Sequence, residues 1–276
     1  MFRWKIFPYL LLTLTVALGT VAGTSHPSLA FDWRDLIRPG IQVIELSRLS
    51  DKQEIELGSE INQQIVSQVK LSTNRSINKY VGDIGDRLVP HSTRPNLKFQ
   101  FQVVEDDAIN AFATMGGFVY VNTGLLKAAD NEAQVAGVMA HEIGHITGKH
   151  AIKQIRQQII AQGLADAAGV ERNQIVQLGV QVGLNLPRSR SHEYNADAQG
   201  LDNLVSAGYA PLGMVQFFQK LVSDKGRVPT ILSTHPATEN RIGNLQNMIN
   251  KKYPGQEKVG YGLDSAAYRR RIASLR

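Results

Sequence analysis

The stretch AQVAGVMAHEIGHITGKH, residues 133 to 150, contains the pentapeptide His141-Glu142-Ile143-Gly144-His145. Side chains four residues apart project from one face of an α-helix. His141 and His145 can therefore bind one zinc ion while Glu142 reaches the same spot. The spacing predicts a hydrolase that uses water activated on zinc, with Glu142 as its base.

The flanking residues favour a helix at this point. Asn131 is suited to cap its first turn, with Gln134 three residues further on. Apolar residues recur at helical spacing beside the two histidines, at Val135, Val138, Met139 and Ile146. The alternative is a buried helix whose histidines only satisfy hydrogen bonds.

Composition narrows the possible chemistry. The chain has 276 residues, of which 43% are hydrophobic, enough for one large domain or two small ones. It contains no cysteine, which excludes disulfides, thiolate metal sites and a catalytic cysteine. Metal ligands must therefore come from His, Asp and Glu.

The net charge of +6 is spread along the chain, with a dense basic run only at Arg269, Arg270 and Arg271. This distribution predicts no nucleic-acid partner, because such partners favour a concentrated basic patch. We interpret the charge as a solvated surface that could lie near an anionic membrane.

The N-terminus has the pattern of an export signal. Arg3 and Lys5 precede an apolar run over residues 6–21, and Ser28-Leu29-Ala30 fits a cleavage site. We therefore predict a signal peptide over residues 1–30 and a single domain over residues 31–276, exported to the periplasm or an equivalent extracytoplasmic compartment. The alternative is an uncleaved anchor, although a helix over residues 6–21 would reach only about 24 Å of the ~30 Å hydrocarbon core.

The periodicity of apolar residues predicts a mainly helical α+β fold. Helices are expected after Ser50 and from about Asn74 to Val89, then strands over residues 97–104 and 118–122. Helices account for nearly all the chain after Gly124. The small sheet should therefore lie beside the helix that carries the two histidines.

A zinc hydrolase needs a third protein ligand. The longer pattern HExxHxxGxxH would place a histidine at position 151, which is Ala151, and His150 lies five positions after His145. That spacing turns His150 away from the metal, so we expect it at a helix end or on the surface.

Glu193 is the better candidate for the third ligand. It begins a second helical pattern, and Asp197 follows one turn later on the same face. Glu193 could bind zinc while Asp197 accepts the second ring N–H of a ligand histidine. Taken alone, such a pair of acids is usually just a solvated helix face.

The sequence resembles the M48 family of zinc metallopeptidases, and most closely its exported bacterial members. The resemblance spans about residues 50–250 and rests on Asn110-Ala111-Phe112 with Gly116-Gly117, Gly124-Leu125-Leu126, the HExxH pentapeptide, Glu193 with Asp197 and Gly200, Ala207-Gly208-Tyr209, Thr234-His235-Pro236 and Arg241-Ile242. It implies a gluzincin fold, a peptidase activity, one zinc ion per chain and Glu193 as the third ligand. It also implies that His235 and Arg241 lie near the catalytic cleft as candidate catalytic residues, where they would contact the transition state or the open zinc position.

Three roles remain open for His235: stabilising the oxyanion, serving as a fourth zinc ligand at rest, or a purely structural role before Pro236. We expect substrate to be bound at Asn110, Gly117, Phe118, Val119 and Tyr120, because the strand over residues 117–122 could offer a free edge to an extended peptide. The alternative for this segment is an ordinary interior strand.

The apolar segment over residues 163–190 is interpreted as a lid over the cleft, with a core helix as the alternative. The favoured function is an exported zinc endopeptidase that cleaves misfolded or unassembled envelope or membrane-associated proteins. An envelope chaperone or assembly factor with little cleavage is the second possibility. A non-peptidase zinc hydrolase acting on small substrates is the third.

Overall fold

The computed structural model describes residues 43–164, 169–223, 229–236 and 239–275. The predicted signal peptide and the apolar run over residues 6–21 lie outside these ranges. Cleavage of a signal peptide and anchoring by the apolar run therefore stay predictions. The described residues belong to one compact unit. Among them, no helix combines the length and the apolar character needed to cross a membrane.

Helices dominate the described chain, with three short strands between the third and fourth helix. The α-helices are α1 (Val43–Leu46), α2 (Asp51–Val66), α3 (Arg75–Leu88), α4 (Thr123–Ala128), α5 (Glu132–Thr147), α6 (His150–Ala161), α7 (Arg172–Leu184), α8 (Arg190–Ser206), α9 (Leu212–Ser223), α10 (Ile231–Thr234), α11 (Glu239–Lys252) and α12 (Ser265–Arg271). The strands are β1 (Gln100–Val104), β2 (Ala111–Ala113) and β3 (Phe118–Asn122). The predicted mainly helical α+β class is confirmed.

Side-chain caps set the start of the helices that the sequence located. Ser50 and Gln53 form a reciprocal capping box at the start of α2. Asn74 accepts hydrogen bonds from two backbone N–H groups in the first turn of α3. Asn131 accepts from the backbone N–H of Gln134 at the start of α5. These three predicted helix starts are confirmed.

The sheet has the order β1-β3-β2. Strand β1 runs parallel to β3, with Gln100 opposite Phe118, and β2 runs antiparallel to it, with Ala113 opposite Val119. Strand β1 begins later than the predicted Leu97. The sequence did not predict β2, because three apolar residues are too few to show alternation.

The prediction of a free edge along β3 was wrong. Strand β3 is the central strand and pairs on both sides, and the backbone N–H of Thr114 also donates to the carbonyl of Phe118. Val119 and Tyr120 are paired with β1 and with β2. A strand that is buried at every position, as β3 is, is typical of the middle of a covered sheet. Strand β2 instead forms an edge of the sheet, beside β3.

The sheet separates two apolar clusters because alternate residues of β3 point to opposite faces. Val119 and Val121 pack with α3, α5 and α9, whereas Phe118 and Tyr120 pack with α2, α6 and α7. The Tyr120 ring stacks on Phe112 of β2 at 4.4 Å between centroids. The site helix α5 is therefore held against one face of a fully covered sheet.

Helix α7 forms part of the second cluster. Its buried residues pack with α2 and α6, and a Cβ at Gly179 would lie 2.3 Å from the side chain of Ile61. For the described part of the 163–190 segment, the structure supports the core-helix alternative over the lid.

Candidate active site

Two glycines allow α5 and α8 to approach closely. A Cβ at Gly200 would lie 2.9 Å from the backbone nitrogen of His141, and a Cβ at Gly144 would lie 2.8 Å from the carbonyl oxygen of Ala196. Contacts this short are sterically forbidden, so the backbones can meet only where side chains are absent. The first turn of α8, which carries Glu193, is thereby placed against the histidines of α5.

The three predicted metal ligands converge. The Nε2 atoms of His141 and His145 lie 3.0 Å apart, and Glu193 Oε1 lies 3.2 Å from His145 Nε2. Glu193 Oε2 lies 3.5 Å from His141 Nε2. Donor atoms around a tetrahedral zinc ion lie about 3.3 Å apart, given bonds of roughly 2.0–2.1 Å. The donor set therefore fits zinc in both chemistry and spacing.

His235 lies in the same cluster. Its Nδ1 atom is 3.2 Å from Glu193 Oε1 and 3.4 Å from His141 Nε2. One donor atom from each of His141, His145, Glu193 and His235 can be chosen so that all lie within 4.8 Å of one another. The geometry thus matches a fourth ligand better than a residue that only precedes Pro236.

Glu142 is fully buried beside the donor atoms. Neither of its carboxylate oxygens accepts a hydrogen bond from the described residues. The Nε2 atom of His235 lies 3.6 Å from Glu142 Oε1. A buried carboxylate without partners is costly, and such groups occur where they meet water or a ligand in function.

Asp197 and Arg241 contact the side chains of the predicted ligands His141 and Glu193. Asp197 Oδ1 lies 2.9 Å from His141 Nδ1. The Arg241 guanidinium donates to both oxygens of Asp197, at 2.7 and 2.6 Å, and its Nη1 lies 2.6 Å from Glu193 Oε2. The group also lies over the Phe218 ring, 4.8 Å from its centroid. In this structure Arg241 therefore contacts the carboxylates of the site.

Burial and neighbouring negative charge have opposite effects on the pKa values of His141 and His145, the two histidines of α5. Burial lowers the pKa of His145 well below its ordinary value, and the Glu193 carboxylate does not compensate. Burial acts the same way on His141, but Asp197 and Glu193 outweigh it and raise its pKa to about 9. His145 is thereby kept in the neutral form that metal binding requires.

Burial also disfavours the charged carboxylate forms of Glu193 and Asp197. Hydrogen bonds and neighbouring positive charge nevertheless lower the pKa of Glu193, mainly through His235 and His141, and the pKa of Asp197, mainly through Arg241 and His141. Both acids are therefore carboxylates at neutral pH.

Of the two places predicted for His150, the helix end is confirmed and the surface is wrong. His150 does begin a helix, α6, but it is 1% exposed and its Nδ1 lies 2.9 Å from His145 Nδ1. The count of five positions assumed one continuous helix, whereas Lys149 adopts a left-handed conformation (φ 53°) between α5 and α6. This turn changes the direction of the chain, so that the His150 ring contacts Nδ1 of the predicted ligand His145.

The outer edge of β2 lies close to the site. Ala113, His145 and Arg188 line one narrow cavity. The buried guanidinium of Arg188 donates to the Ala113 carbonyl at 3.0 Å and to Gln154 at 2.9 Å. Arg188 lies in the segment between α7 and α8, and no pattern in the sequence predicted its role.

Of the predicted substrate residues, Asn110 lies just before β2 and is buried. Its carbonyl accepts from the backbone N–H of Asn122, as part of the β2–β3 pairing. Gly117 leads into β3 and has φ 99°, a conformation that favours glycine. Phe118, Val119 and Tyr120 lie in the interior strand, which leaves Asn110 beside the sheet edge.

The chain belongs to Peptidase family M48, whose sequence profile matches residues 75–249. M48 peptidases are zinc-dependent, and the buried group formed by His141, His145, Glu193 and His235 could hold a metal ion. Family membership confirms the predicted resemblance, and the metalloendopeptidase relatives support the predicted enzyme class, a zinc metalloendopeptidase.

Individual relatives share this class. The Beta-barrel assembly-enhancing protease of Escherichia coli (strain K12) is 30% identical over 260 residues, which cover 88% of this chain and 53% of that protein. Metalloprotease LoiP of the same strain is 26% identical over 230 residues, which cover 79% of this chain and 89% of LoiP. Mitochondrial metalloendopeptidase OMA1 of Schizosaccharomyces pombe is 30% identical over 176 residues, 62% of this chain and 52% of OMA1. The chain spans about half the length of the first curated relatives that it matches.

Proposed function

We propose that this protein is an exported zinc endopeptidase that hydrolyses peptide bonds in misfolded or unassembled proteins of the cell envelope. The observation that carries the proposal is the buried Glu142 carboxylate, which has no hydrogen-bond partner among the described residues and adjoins four converging donor atoms. Such an arrangement suits a base that receives a proton from water beside a metal.

His141, His145 and Glu193 would hold one zinc ion per chain. When bound, zinc supplies a Lewis acid that polarises the scissile carbonyl and lowers the pKa of water. Glu142 accepts the proton of the attacking water and delivers it to the leaving amide nitrogen. Asp197 keeps the His141 ring oriented, and Arg241 holds Asp197 and Glu193 in place through its three short contacts.

His235 serves in this proposal as a fourth ligand at rest. Its Nδ1 atom lies at the spacing expected between ligands, and a catalytic zinc site needs an open position. His235 must therefore leave before substrate is hydrolysed, so His235→Ala should raise the rate of casein cleavage at saturating zinc. A rate that falls by about 10²- to 10³-fold would assign His235 to the oxyanion instead.

Substrate would pair as an extended strand along β2. In the antiparallel ladder, residues 110, 112 and 114 bond towards β3, so the N–H and C=O groups of Ala111 and Ala113 point outwards. The Ala113 carbonyl accepts from Arg188, so substrate would pair through the other outward groups, or would displace this contact. Main-chain pairing there gives affinity with little sequence preference, which suits unfolded substrates. Methylating alternate backbone amides of a model peptide should weaken cleavage in a two-residue period; equal effects at all positions would contradict strand pairing.

The cellular setting rests on the sequence and on one relative. The N-terminal pattern over residues 1–30 supports export to the periplasm or an equivalent compartment, with anchoring by residues 6–21 as the alternative. One relative is named a β-barrel assembly-enhancing protease, which supports protein substrates at a membrane and association with its surface. N-terminal sequencing of the secreted protein should give Phe31; a first residue before residue 6 would favour the anchor.

The decisive experiment replaces Glu142 with Gln. The variant keeps the shape of the side chain but cannot act as a base, so casein digestion should stop while zinc and unfolded casein still bind. Glu171→Gln, at an exposed glutamate that precedes α7, is the matched control and should digest casein normally. Unchanged casein digestion by Glu142→Gln would contradict the proposed mechanism.

The same variant tests the second function, an envelope chaperone or assembly factor that seldom cleaves. His235 among the donor atoms is the observation that favours it, because a closed site is a poor catalyst. If Glu142→Gln supports assembly of client proteins as well as the parent does, binding is the function and cleavage is secondary.

A further inference from the structure

His150 is a buried histidine that the proposed mechanism leaves unused. Its Nδ1 atom lies 2.9 Å from His145 Nδ1, and its Nε2 atom lies 3.0 Å from Asn195 Oδ1. Both ring nitrogens are thus engaged, one by a proposed ligand and the other by α8. The donor and the acceptor in the hydrogen bond between His145 and His150 can be assigned from the position of His145.

The Nε2 atom of His145 faces the donor atoms of His141 and Glu193. A metal takes the lone pair of Nε2, so the proton of the neutral His145 ring must lie on Nδ1. His145 Nδ1–H therefore donates to His150 Nδ1. His150 then carries its own proton on Nε2 and donates it to Asn195 Oδ1, an oxygen that also accepts from Gln199 Nε2 at 2.6 Å.

We propose that His150 is a positioning residue that holds His145 with its Nε2 atom directed at the metal. This rests on the proposed function, in which His145 binds zinc. His150 touches neither substrate nor metal and acts through the His145 ring. Accepting partners of this kind fix the tautomer and orientation of ligand histidines.

The two ligand histidines are supported by different chemistry. His141 Nδ1 faces the Asp197 carboxylate, whereas His145 Nδ1 faces a neutral imidazole. The carboxylates of Glu142, Glu193 and Asp197 are already buried around the site. A neutral acceptor orients His145 without adding another buried negative charge, which would be costly.

The surroundings fix the His150 ring tightly. It stacks on His192, with 4.4 Å between centroids and 9° between planes, and meets the His145 ring edge-on at 5.0 Å and 78°. A Cβ at Gly148 would lie 2.4 Å from His150 Nε2, so the bare backbone of Gly148 leaves room for the ring. An aromatic residue of similar size can therefore replace the packing of His150 but not its hydrogen bonds.

The test measures zinc affinity by competition with a chromophoric chelator, using the full chain in a Glu142→Gln background that prevents self-cleavage. His150→Phe keeps the stacked ring but has no acceptor, and it should bind zinc about 10–100-fold more weakly. His150→Asn places an acceptor oxygen close to the position of Nδ1 and should recover most of the affinity. His192→Phe keeps the stack on His150 and leaves the hydrogen bond between His145 and His150 in place, so it should match the parent.

The outcomes separate this inference from the proposed function. A parent that fails to bind zinc contradicts the metal site itself. A parent that binds, with His150→Phe equally tight or His150→Asn as weak as His150→Phe, overturns the role of His150.

A measurement on the parent decides the matter even if the variants do not fold. In the zinc-loaded protein, nitrogen-15 NMR of the histidine rings should show the proton of His145 on Nδ1 and that of His150 on Nε2. A proton on His150 Nδ1 would overturn the inference.

Discussion

At the scale of single residues, Arg241 shows how a buried ion pair differs from an exposed one with similar geometry. It donates to both oxygens of Asp197 and is 3% exposed, whereas Arg172 donates to both oxygens of Glu60 with 47% of its side chain exposed. Removing one member of a buried pair leaves the other charge without compensation. Solvent compensates at the surface.

We therefore expect Arg241→Leu to lower the free energy of unfolding of the zinc-free protein by about 3–5 kcal/mol. Arg172→Leu should lower it by only about 0–1 kcal/mol. Urea denaturation followed by circular dichroism measures both. Equal losses in the two variants would show that Arg241 does not act as a buried partner.

At the scale of elements, the contact between α5 and α8 determines the position of Glu193. A Cβ at Gly200 would collide with the backbone of α5 at His141, and overpacking of this kind costs about 1–3 kcal/mol. Gly200→Ala should therefore destabilise the protein and also weaken zinc binding, because α8 must move away from α5.

Gly82 provides the control for this prediction. It lies inside α3, and a Cβ there would meet nothing within 4 Å. Gly82→Ala should stabilise the protein by about 0.4–1 kcal/mol through the entropy of the unfolded chain, with zinc affinity unchanged. A Gly200→Ala variant with parental zinc affinity would show that the close crossing is not needed for the site.

At the scale of the whole molecule, the donor atoms join three separate helical segments, α5, α8 and the end of α10. A ligand that binds only the folded state stabilises it, by about 4 kcal/mol at a thousandfold excess over Kd. Removing zinc with a chelator should therefore abolish casein cleavage and lower Tm by roughly 10 °C. Zinc should restore both and magnesium neither, whereas a Tm indifferent to zinc would contradict a metal site between these helices.

Local features of this protein could be predicted from its residues alone. Helix starts at Ser50 and Asn131 follow from side chains that bond to nearby backbone, and the spacing of His141 and His145 follows from the helix repeat. Glu193 could be predicted because two histidines leave a zinc hydrolase one protein ligand short. It also lies one turn before Asp197.

Contacts between groups that are distant in the chain could not be predicted in this way. The interior place of β3, the edge position of β2 and the burial of His150 depend on strand order and on a left-handed turn at Lys149. Periodicity reports which face of an element is apolar, but not what packs against it. Strand partners and the groups behind a ligand are set by long-range packing, because the whole core selects one arrangement among many that are locally acceptable.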